Sequence, residues 1–481
     1  MSILRRLTLA ATFVAALLPI STSAQSGGTL AERLDSIAGA DVLGNRAVGM
    51  VVAVVKGKDP LLLKAYGKAD ADGGAQMTVN TVIPIGSVTK QFTAAAILQL
   101  RDAGKLSLDD EITKWLPEYA TRGSDEARSA PSRVTLRHLL GHMAGAMEMS
   151  GMQELRAMQL IRNATVTRDS VYRIVTRYPF QFPAGTMQVY SNTGYWLLGR
   201  IVEKASGMTY EDYVEKKIFE PLAMSRSMYC SNASKVADRA VGHGMRNGMT
   251  GRVPEIVHTA PFAAGAICST AGDMVTWLQA LHGGKVLTPR SYADMIAPSR
   301  LNDGTPTRYG MGLIAWADRR GLREIGHGGG GFGFSSQAWW HPDSQLAMVL
   351  LTNSEPDNTT AIAEALAAEV LGPARTAGPF TGDASQLAGT YKGRGRGTEM
   401  VIAVSQTPDG LAVSIDGAAA RPLQWVEGWT FRLPIPLLTF RRSGNSGPAS
   451  ELRFDTGGDH FILKRQSMSG TGTDGGRGRR G

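Results

Sequence analysis

The chain has 481 residues, of which 43% are hydrophobic and 19% are charged, with a formal net charge of +9. This length exceeds one ordinary domain and predicts two or three, with enough apolar residues to bury a large core. Lysines and arginines are scattered and form no basic stripe with interleaved aromatics, so the positive charge indicates a solvated surface and disfavours nucleic-acid binding.

The first residues have the layout of a targeting segment. Arg5 and Arg6 precede an apolar run over residues 7–20, and small residues before Gln25 offer a cleavage site. The run is short for a membrane span. We therefore expect a cleaved signal peptide over residues 1–24 and an exported, periplasmic or extracellular protein that keeps no transmembrane anchor.

The chain contains two cysteines, Cys230 and Cys268. In an oxidising compartment the pair can form one disulfide, and the alternative is two buried free thiols. We expect the disulfide, because no other cysteine is present in a chain that is expected to be exported.

Helix and strand patterns mix through the first 371 residues. A helix is predicted from residue 88 to about residue 103, a short one over 108–116, and another that opens near residue 193 with Asn192 or Thr193 as its N-cap. The other predicted segments are strands over 49–55, 61–66, 311–316, 324–326, 334–340 and 346–352, and helices over 169–177, 210–219, 271–281 and 359–371.

The pattern changes after residue 371. Residues 372–383 are rich in proline and glycine and are predicted to be a linker. About eight short β-like runs with glycine-containing turns follow over residues 384–468, which predicts a small antiparallel barrel or sandwich. Residues 469–481 are rich in glycine and arginine, and we expect them to be disordered.

Ser87-Val88-Thr89-Lys90 lies where an extended stretch gives way to the helix predicted from residue 88. Residues three apart share one face of a helix, and a helix start offers unpaired N–H groups to developing negative charge. Lys90 is surrounded by apolar residues, so desolvation lowers its pKa and can make it a base. An activated nucleophilic serine needs these features, but a Ser-x-x-Lys arises about once by chance in such a chain, so other motifs must support it.

Two histidines, His138 and His142, are four residues apart on a predicted helix. Such a pair can grip a metal ion. No glutamate follows His138 as the zinc-protease pattern requires, and no third ligand is evident. We therefore favour structural histidines and expect neither a metal nor another cofactor, with a zinc hydrolase as a distant alternative.

Three motifs together resemble the ordered motifs of the serine β-lactamase and penicillin-binding protein superfamily. They are Ser87-Val88-Thr89-Lys90, Tyr190-Ser191-Asn192 and His327-Gly328-Gly329. The flanking residues 183–186, 197–199 and 269–273 match as well, and the resemblance covers roughly residues 30–370. It is nearest to the class C-like branch, which includes class C β-lactamases, DD-carboxypeptidases, D-aminopeptidases and esterases.

This resemblance implies an α+β fold for residues 25–371. An antiparallel sheet would be flanked by helices, with an inserted helical subdomain, and the active site would lie between the two. The C-terminal strands look like the lipocalin-like domain that often follows in this branch. The partners implied are a small-molecule or peptide substrate, for example one derived from the cell wall, and no nucleic acid.

The resemblance also implies catalytic roles. Ser87 would attack a carbonyl and form an acyl-enzyme, and Lys90 and Tyr190 would share the role of base. Which of the two accepts the proton stays open. The backbone N–H groups of Ser87 and Gly330 would form the oxyanion hole.

Asn192, His327 and Gly329 are expected to bind the substrate. His327 replaces the lysine that many relatives carry in the third motif, and a mostly neutral histidine holds a substrate carboxylate less firmly. The loop 141–145 also lacks the hydroxyl residues that relatives usually carry. The first difference favours an esterase, amidase or D-amino-acid peptidase over an efficient β-lactamase. The second would alter substrate recognition if the loop borders the site, and it leaves the core chemistry unchanged.

The leading hypothesis is therefore an exported serine hydrolase that cleaves an amide or ester bond in a D-amino-acid peptide, a small ester or a β-lactam. The alternative is a non-catalytic cell-wall-binding or regulatory protein that keeps the fold. The joint presence of Ser87, Lys90, Tyr190 and Asn192 argues against that alternative, because a binding protein has no need of a buried lysine beside a serine.

Overall fold

The computed structural model describes residues 28–118, 133–149, 152, 154, 166–233, 236–246, 249–375, 378–396, 398–408 and 410–466. The expected signal peptide and the expected disordered tail lie outside these residues. Within them, no helix combines the length and the apolar character needed to cross a membrane.

The described residues between 28 and 372 form a mixture of helices and strands. The strands are β1 (Gly49–Lys56), β2 (Asp59–Gly67), β3 (Ile83–Pro84), β4 (Met228–Tyr229), β5 (His243–Arg246), β6 (Met249–Arg252), β7 (Ile267–Ser269), β8 (Ile314–Ala317), β9 (Arg323–Gly331), β10 (Phe334–His341), β11 (Leu346–Thr352) and β12 (Ser354–Glu355). The helices are α1 (Leu30–Leu43), α2 (Thr89–Asp102), α3 (Ile112–Trp115), α4 (Leu136–Leu140), α5 (Arg168–Val175), α6 (Asn192–Ser206), α7 (Tyr210–Val214), α8 (Cys230–Ala233), α9 (Phe262–Gly265), α10 (Ala271–His282), α11 (Pro289–Ile296) and α12 (Thr359–Leu371).

A six-stranded antiparallel sheet in the order β2-β1-β11-β10-β9-β8 is the frame of this part. Both faces of the sheet are covered, and β1 shows why, since its side chains alternate between two apolar clusters. Met50, Val52 and Val54 pack with residues of α1 and α12 on one face. Val51 and Ala53 face the cluster that contains α2 and α10. The helical segments α3–α11 are inserted between α2 and β8.

Helix α2 runs through the middle of the larger cluster. Every residue from Thr89 to Leu98 is buried, and the Phe92 ring stacks on Trp277 of α10 with 4.0 Å between ring centroids. The predicted helix over residues 88–103 is confirmed almost to the residue. Burial on all sides explains its fixed position, which sets the geometry of its first turn.

Several predicted element boundaries differ from the structure; the strand predicted over 311–316 begins only at Ile314, and the helix predicted over 210–219 is an α-helix only to Val214. Ser191, rather than Asn192 or Thr193, is the N-cap of α6, and its Oγ accepts from the Gly194 N–H at 3.2 Å. The helix predicted over 108–116 shortens to α3. The strand predicted over 324–326 extends to Gly331 as β9, because its glycines pair with β10 and so keep their backbone hydrogen bonds.

A small sheet of β3, β7 and β4 leads into the first motif. Cys268 of β7 pairs with Pro84 of β3 on one side and with Met228 of β4 on the other. The structure joins Cys268 to Cys230 in a disulfide, which is buried against Val82. The covalent link therefore lies beside β3, the strand that carries the chain into Ser87.

The C-terminal part is a separate nine-stranded antiparallel sheet with its own apolar core. Its strands are β13 (Gly389–Gly395), β14 (Thr398–Thr407), β15 (Gly410–Ile415), β16 (Arg421–Pro422), β17 (Gln424–Glu427), β18 (Thr430–Arg432), β19 (Leu437–Arg441), β20 (Glu451–Asp455) and β21 (His460–Arg465). The two edge strands, β16 and β17, are separated by Leu423 alone, so the sheet is curled until its edges nearly meet. The predicted fold class, an α+β fold with an antiparallel sheet flanked by helices followed by a barrel-like β domain, is confirmed.

The disulfide predicts a measurable loss of stability on removal. For a sequence separation of 38 residues, replacing both cysteines (Cys230→Ala with Cys268→Ala) is expected to lower the free energy of unfolding by about 3–4 kcal/mol. Urea denaturation of the purified protein measures this. A reducing agent should destabilise the wild type but leave the double variant unchanged; equal midpoints for all four samples would contradict the prediction.

Candidate active site

The backbone around Ser87 is shaped by glycines on two elements. Gly86 has φ +51°, and a Cβ there would lie 2.8 Å from the Gly330 nitrogen. A Cβ on Gly329 would lie 2.2 Å from the Ile85 carbonyl oxygen and 2.9 Å from the Ser87 nitrogen. Side chains at either position would push the strand away. The glycines therefore let β9 approach the start of α2 and bring the Gly330 N–H close to Ser87.

Lys90 is completely buried one turn after Ser87. Its Nζ donates at 2.8 Å to the Asn192 Oδ1, at 2.8 Å to the Ala264 carbonyl oxygen, and lies 3.1 Å from the Ser87 Oγ. Burial lowers the pKa of Lys90 to about 7, although the Glu148 carboxylate partly opposes this effect. A lysine in this state is partly neutral at ordinary pH and can accept a proton.

Glu148 is a site residue that the sequence analysis missed. Its carboxylate accepts from the Asn192 Nδ2 at 2.9 Å and from the Asn192 backbone N–H at 2.6 Å. These two bonds direct the Asn192 Oδ1 towards Lys90. No spacing pattern marks Glu148, since it comes from the loop after residue 145 and meets Asn192 only through folding.

Tyr190 is placed by aromatic contacts. Its ring packs on His142 with 4.3 Å between centroids, and the Lys90 Nζ lies 4.8 Å from its ring centroid. Burial raises the pKa of Tyr190 well above its ordinary value, and the nearby Ser87 hydroxyl only partly counters this. The hydroxyl is buried without a hydrogen bond of ordinary geometry. It is therefore a protonated group that has a free donor beside the serine.

His327 lies at the site as a buried, neutral ring. Its Nε2 is 3.1 Å from the Tyr309 hydroxyl, and only 5% of the residue is exposed. Burial, reinforced by the charge of Lys90, lowers the pKa of His327 to about 3. The structure thus places this third-motif residue in the interior beside Tyr309 and Tyr190, where it supplies no positive charge to a ligand.

The two histidines considered as metal ligands have separate tasks. The His138 Nδ1 bonds to Thr135 at the start of its own short helix, α4. His142 accepts the Ser191 N–H at 3.2 Å and supports the Tyr190 ring. Among the residues that the structure describes, no group of three histidine, cysteine, aspartate or glutamate side chains is placed to hold a metal.

A cavity of about 390 Å³ opens beside Ser87 on the side of Gly330. Its walls are largely apolar. They also contain one cluster of polar side chains, in which Arg239 and His258 both contact Glu255. The apolar lining residues include Val236, Val241, Val253, Ile256, Pro261, Phe332 and Phe334. The cavity can take an apolar group attached to a carbonyl carbon at Ser87.

The C-terminal sheet reaches the opposite side of the site. The Asp459 carboxylate accepts the Tyr190 backbone N–H at 2.8 Å, and Gly458 lies against the Tyr190 ring. The His460 N–H donates to the Gln188 carbonyl oxygen at 2.9 Å. Sequence patterns do not indicate this contact, because the two segments are about 270 residues apart and carry no shared pattern.

Comparison with known proteins agrees with this geometry. A family profile described as Beta-lactamase matches residues 31–372, well over half of the chain. The chain belongs to the beta-lactamase family. A penicillin-binding protein 4* of Bacillus subtilis (strain 168) is 27% identical over 319 residues, which are 64% of this chain and 68% of that protein. A D-aminopeptidase of Brucella anthropi is 28% identical over 309 residues, 64% of this chain and 56% of that protein.

Solved structures show the same fold. A D-stereospecific amidohydrolase from Streptomyces sp. superposes with a TM-score of 0.61 at 25% identity, over 72% of this chain and all of that chain (100%). An octameric penicillin-binding protein homologue from Pyrococcus abyssi superposes with a TM-score of 0.61 at 23% identity, over 90% of this chain and 99% of that chain. The second match is long enough to include part of the C-terminal sheet, and it shows the fold alone.

Because the pKa of Lys90 lies near 7 and is raised by Glu148, we expect the activity to depend on pH and the midpoint to depend on Glu148. If neutral Lys90 is the base, kcat/KM rises with pH and has its midpoint at about 7. The Glu148 carboxylate raises the pKa of Lys90, so Glu148→Gln should move this rise to lower pH. The plateau should also fall about tenfold, because Asn192 exchanges two charge-assisted hydrogen bonds for weaker ones.

A pH–rate profile on an activated ester measures both effects. Glu220→Gln, which removes an exposed carboxylate outside the site, is the matched control and should reproduce the wild-type profile. A rise that stays at the same pH in Glu148→Gln would contradict the electrostatic link between Glu148 and Lys90.

Proposed function

We propose that this protein is an exported serine hydrolase that cleaves an amide or ester bond through an acyl-enzyme on Ser87. The observation that carries the proposal is the buried Lys90 Nζ, which lies between the Ser87 Oγ and the Asn192 Oδ1. A fully buried lysine without a carboxylate in contact is costly for a fold, and its position beside a serine hydroxyl gives it a chemical use.

The hydrogen bonds of Lys90 favour it as the base in the first step. A neutral amine has two N–H donors and one lone pair, and the two short bonds to Asn192 and Ala264 use both donors. The lone pair is then directed at the Ser87 hydroxyl. Lys90 takes the hydroxyl proton as the Ser87 Oγ attacks the substrate carbonyl, and the N–H groups of Ser87 and Gly330 receive the developing negative charge.

Tyr190 is suited to the second half of this step. Because burial keeps it protonated, it can donate its proton to the leaving nitrogen or oxygen as the bond to the carbonyl breaks. Lys90 then passes the proton that it took from Ser87 on to Tyr190, which is protonated again. The net result is the transfer of one proton from the serine to the leaving group. Deacylation runs the same path in reverse, with water in place of the leaving group.

The favoured substrates are amides or peptides with a D-configured residue, with small esters and β-lactams as further substrates. The relatives named above include a D-aminopeptidase and a D-stereospecific amidohydrolase. The apolar cavity beside Gly330 accommodates the acyl part. As far as the third motif is concerned, the neutral, buried His327 favours peptidase or esterase action over efficient β-lactam hydrolysis, because that motif offers no cation to a β-lactam carboxylate.

We also propose the division of the chain and its location. Residues 1–24 would be a signal peptide, 25–371 the hydrolase domain, 372–383 a linker, 384–468 a lipocalin-like domain and 469–481 a disordered tail. The basic and apolar pattern at the start of the chain supports export to the periplasm or beyond. The disulfide supports the same conclusion, since such bonds persist in oxidising compartments.

Turnover of matched D- and L-amino-acid p-nitroanilides tests the proposed function. Ser87→Ala should reduce kcat by at least about a thousandfold, because the nucleophile is lost, and the D-isomer should be preferred by the wild type. Ser206→Ala, at the far end of α6, is the control and should keep full activity. Failure of folded wild-type protein to turn over any anilide or activated ester in a Ser87-dependent way would overturn the proposal in favour of a wall-binding protein.

A further inference from the structure

The contact between the C-terminal sheet and Tyr190 contains an ion pair. Arg396 lies in the turn between β13 and β14, and Asp459 lies in the turn between β20 and β21. The Arg396 Nε and Nη2 donate to the Asp459 Oδ2 at 3.0 and 2.9 Å. The other carboxylate oxygen of Asp459 accepts the Tyr190 N–H. One aspartate therefore ties an arginine of the second domain directly to a residue of the catalytic motif.

Several contacts hold the turn between β20 and β21 against the hydrolase domain. A Cβ on Gly458 would lie 3.0 Å from the Tyr190 Cδ2, so the turn approaches the ring as closely as glycine allows. At the start of the same turn, the Asp455 Oδ1 accepts from the Arg308 Nε at 2.9 Å, and this pair is largely buried. The position of Arg396 relative to Tyr190 is thus fixed by the fold on both sides.

Arg396 remains available to a ligand although Asp459 is not. The Arg396 side chain is 61% exposed, whereas that of Asp459 is 6% exposed. Both recorded hydrogen bonds of the guanidinium use Nε and Nη2, so within the described part of the chain Nη1 has no hydrogen-bond partner. A guanidinium fixed on one edge and free on the other is a suitable group for binding an oxyanion.

The charge of Arg396 acts on the site itself. It is close enough to influence the pKa of Tyr190 and of His142, although burial is the larger cause in both cases. The third motif cannot provide an equivalent charge, because His327 is neutral and bonded to Tyr309. The second domain therefore brings a cation to a site whose own third motif lacks one.

The position of Arg396 indicates which part of the substrate it would meet. The apolar cavity lies on the Gly330 side of Ser87, while Arg396 lies on the Tyr190 side. In the proposed reaction Tyr190 protonates the leaving atom, so the leaving group must lie on that side. We infer that Arg396, held in place by Asp459, binds a carboxylate on the leaving part of the substrate, which makes the second domain part of the specificity site. This inference rests on the proposed function.

Two thioesters that differ in one group test the inference. Both carry the same N-acyl-D-alanyl group; the leaving group is mercaptoacetate in one and mercaptoacetamide in the other. Attack by Ser87 breaks the carbon–sulfur bond and releases the thiol, which takes a proton, and water then releases the acid. Full-length wild type should show a higher kcat/KM for the carboxylate probe, and Arg396→Gln should lose about tenfold on that probe alone.

Matched variants separate recognition from structural damage. Arg394→Gln, an exposed arginine on the same hairpin, should keep the wild-type ratio between the two probes, and Arg396→Lys should keep part of it. A structural fault from loss of the Asp459 pair would lower both probes together. An equal loss of kcat/KM on both probes in Arg396→Gln, or a wild type that does not prefer the carboxylate probe, would overturn the inference while leaving the proposed function intact. Absence of Ser87-dependent turnover of either probe would overturn both.

Discussion

The structure around the site depends on the complete burial of one cation-forming side chain, Lys90. Burial alone would be unfavourable, and three polar atoms compensate for it: the Ser87 Oγ, the Asn192 Oδ1 and the Ala264 carbonyl oxygen. These atoms come from the turn just before α2, from α6 and from α9. Lys90 therefore holds three elements of the domain in register while it carries a pKa near neutrality.

The close approach of the sheet to this helix is a second requirement that follows from the first. Lys90 can act as a base for Ser87 only if the substrate carbonyl group is held next to the serine. Strand β9 forms one side of that position. Glycines at positions 86 and 329 allow the strand to lie against the start of α2. The rest of the sheet, with α1 and α12 on its far face, keeps β9 there.

Local sequence patterns were enough to predict much of this arrangement. The buried helix α2 and the strand β11 have unmistakable apolar patterns, and the three motifs occur in an order that predicts the family. The cap of α6 was mispredicted because Ser191, Asn192 and Thr193 are all good N-cap residues. The choice of Ser191 depends on Asn192 being bound by Glu148, which is a contact between distant segments.

The second domain is where sequence reasoning reached its limit. Alternation and turns predicted a barrel-like sheet, but they carry no information on which of its turns meets the hydrolase domain. Asp459 and Arg396 are unremarkable polar residues of turns until the fold places them beside Tyr190. Their charges then join those of Lys90 and Glu148, so the electrostatics of the site belong to both domains.

The central claim is that Ser87, activated by Lys90, becomes acylated. The most direct measurement is the intact mass of the protein after brief mixing with a penicillin and, separately, with an activated short-chain ester, followed by mapping of the modified peptide. The account predicts at least one of these adducts, with the mass of a single acyl group on the peptide that contains Ser87 and absent from Ser87→Ala. An adduct on another residue, or none with either reagent in folded protein, would contradict the account.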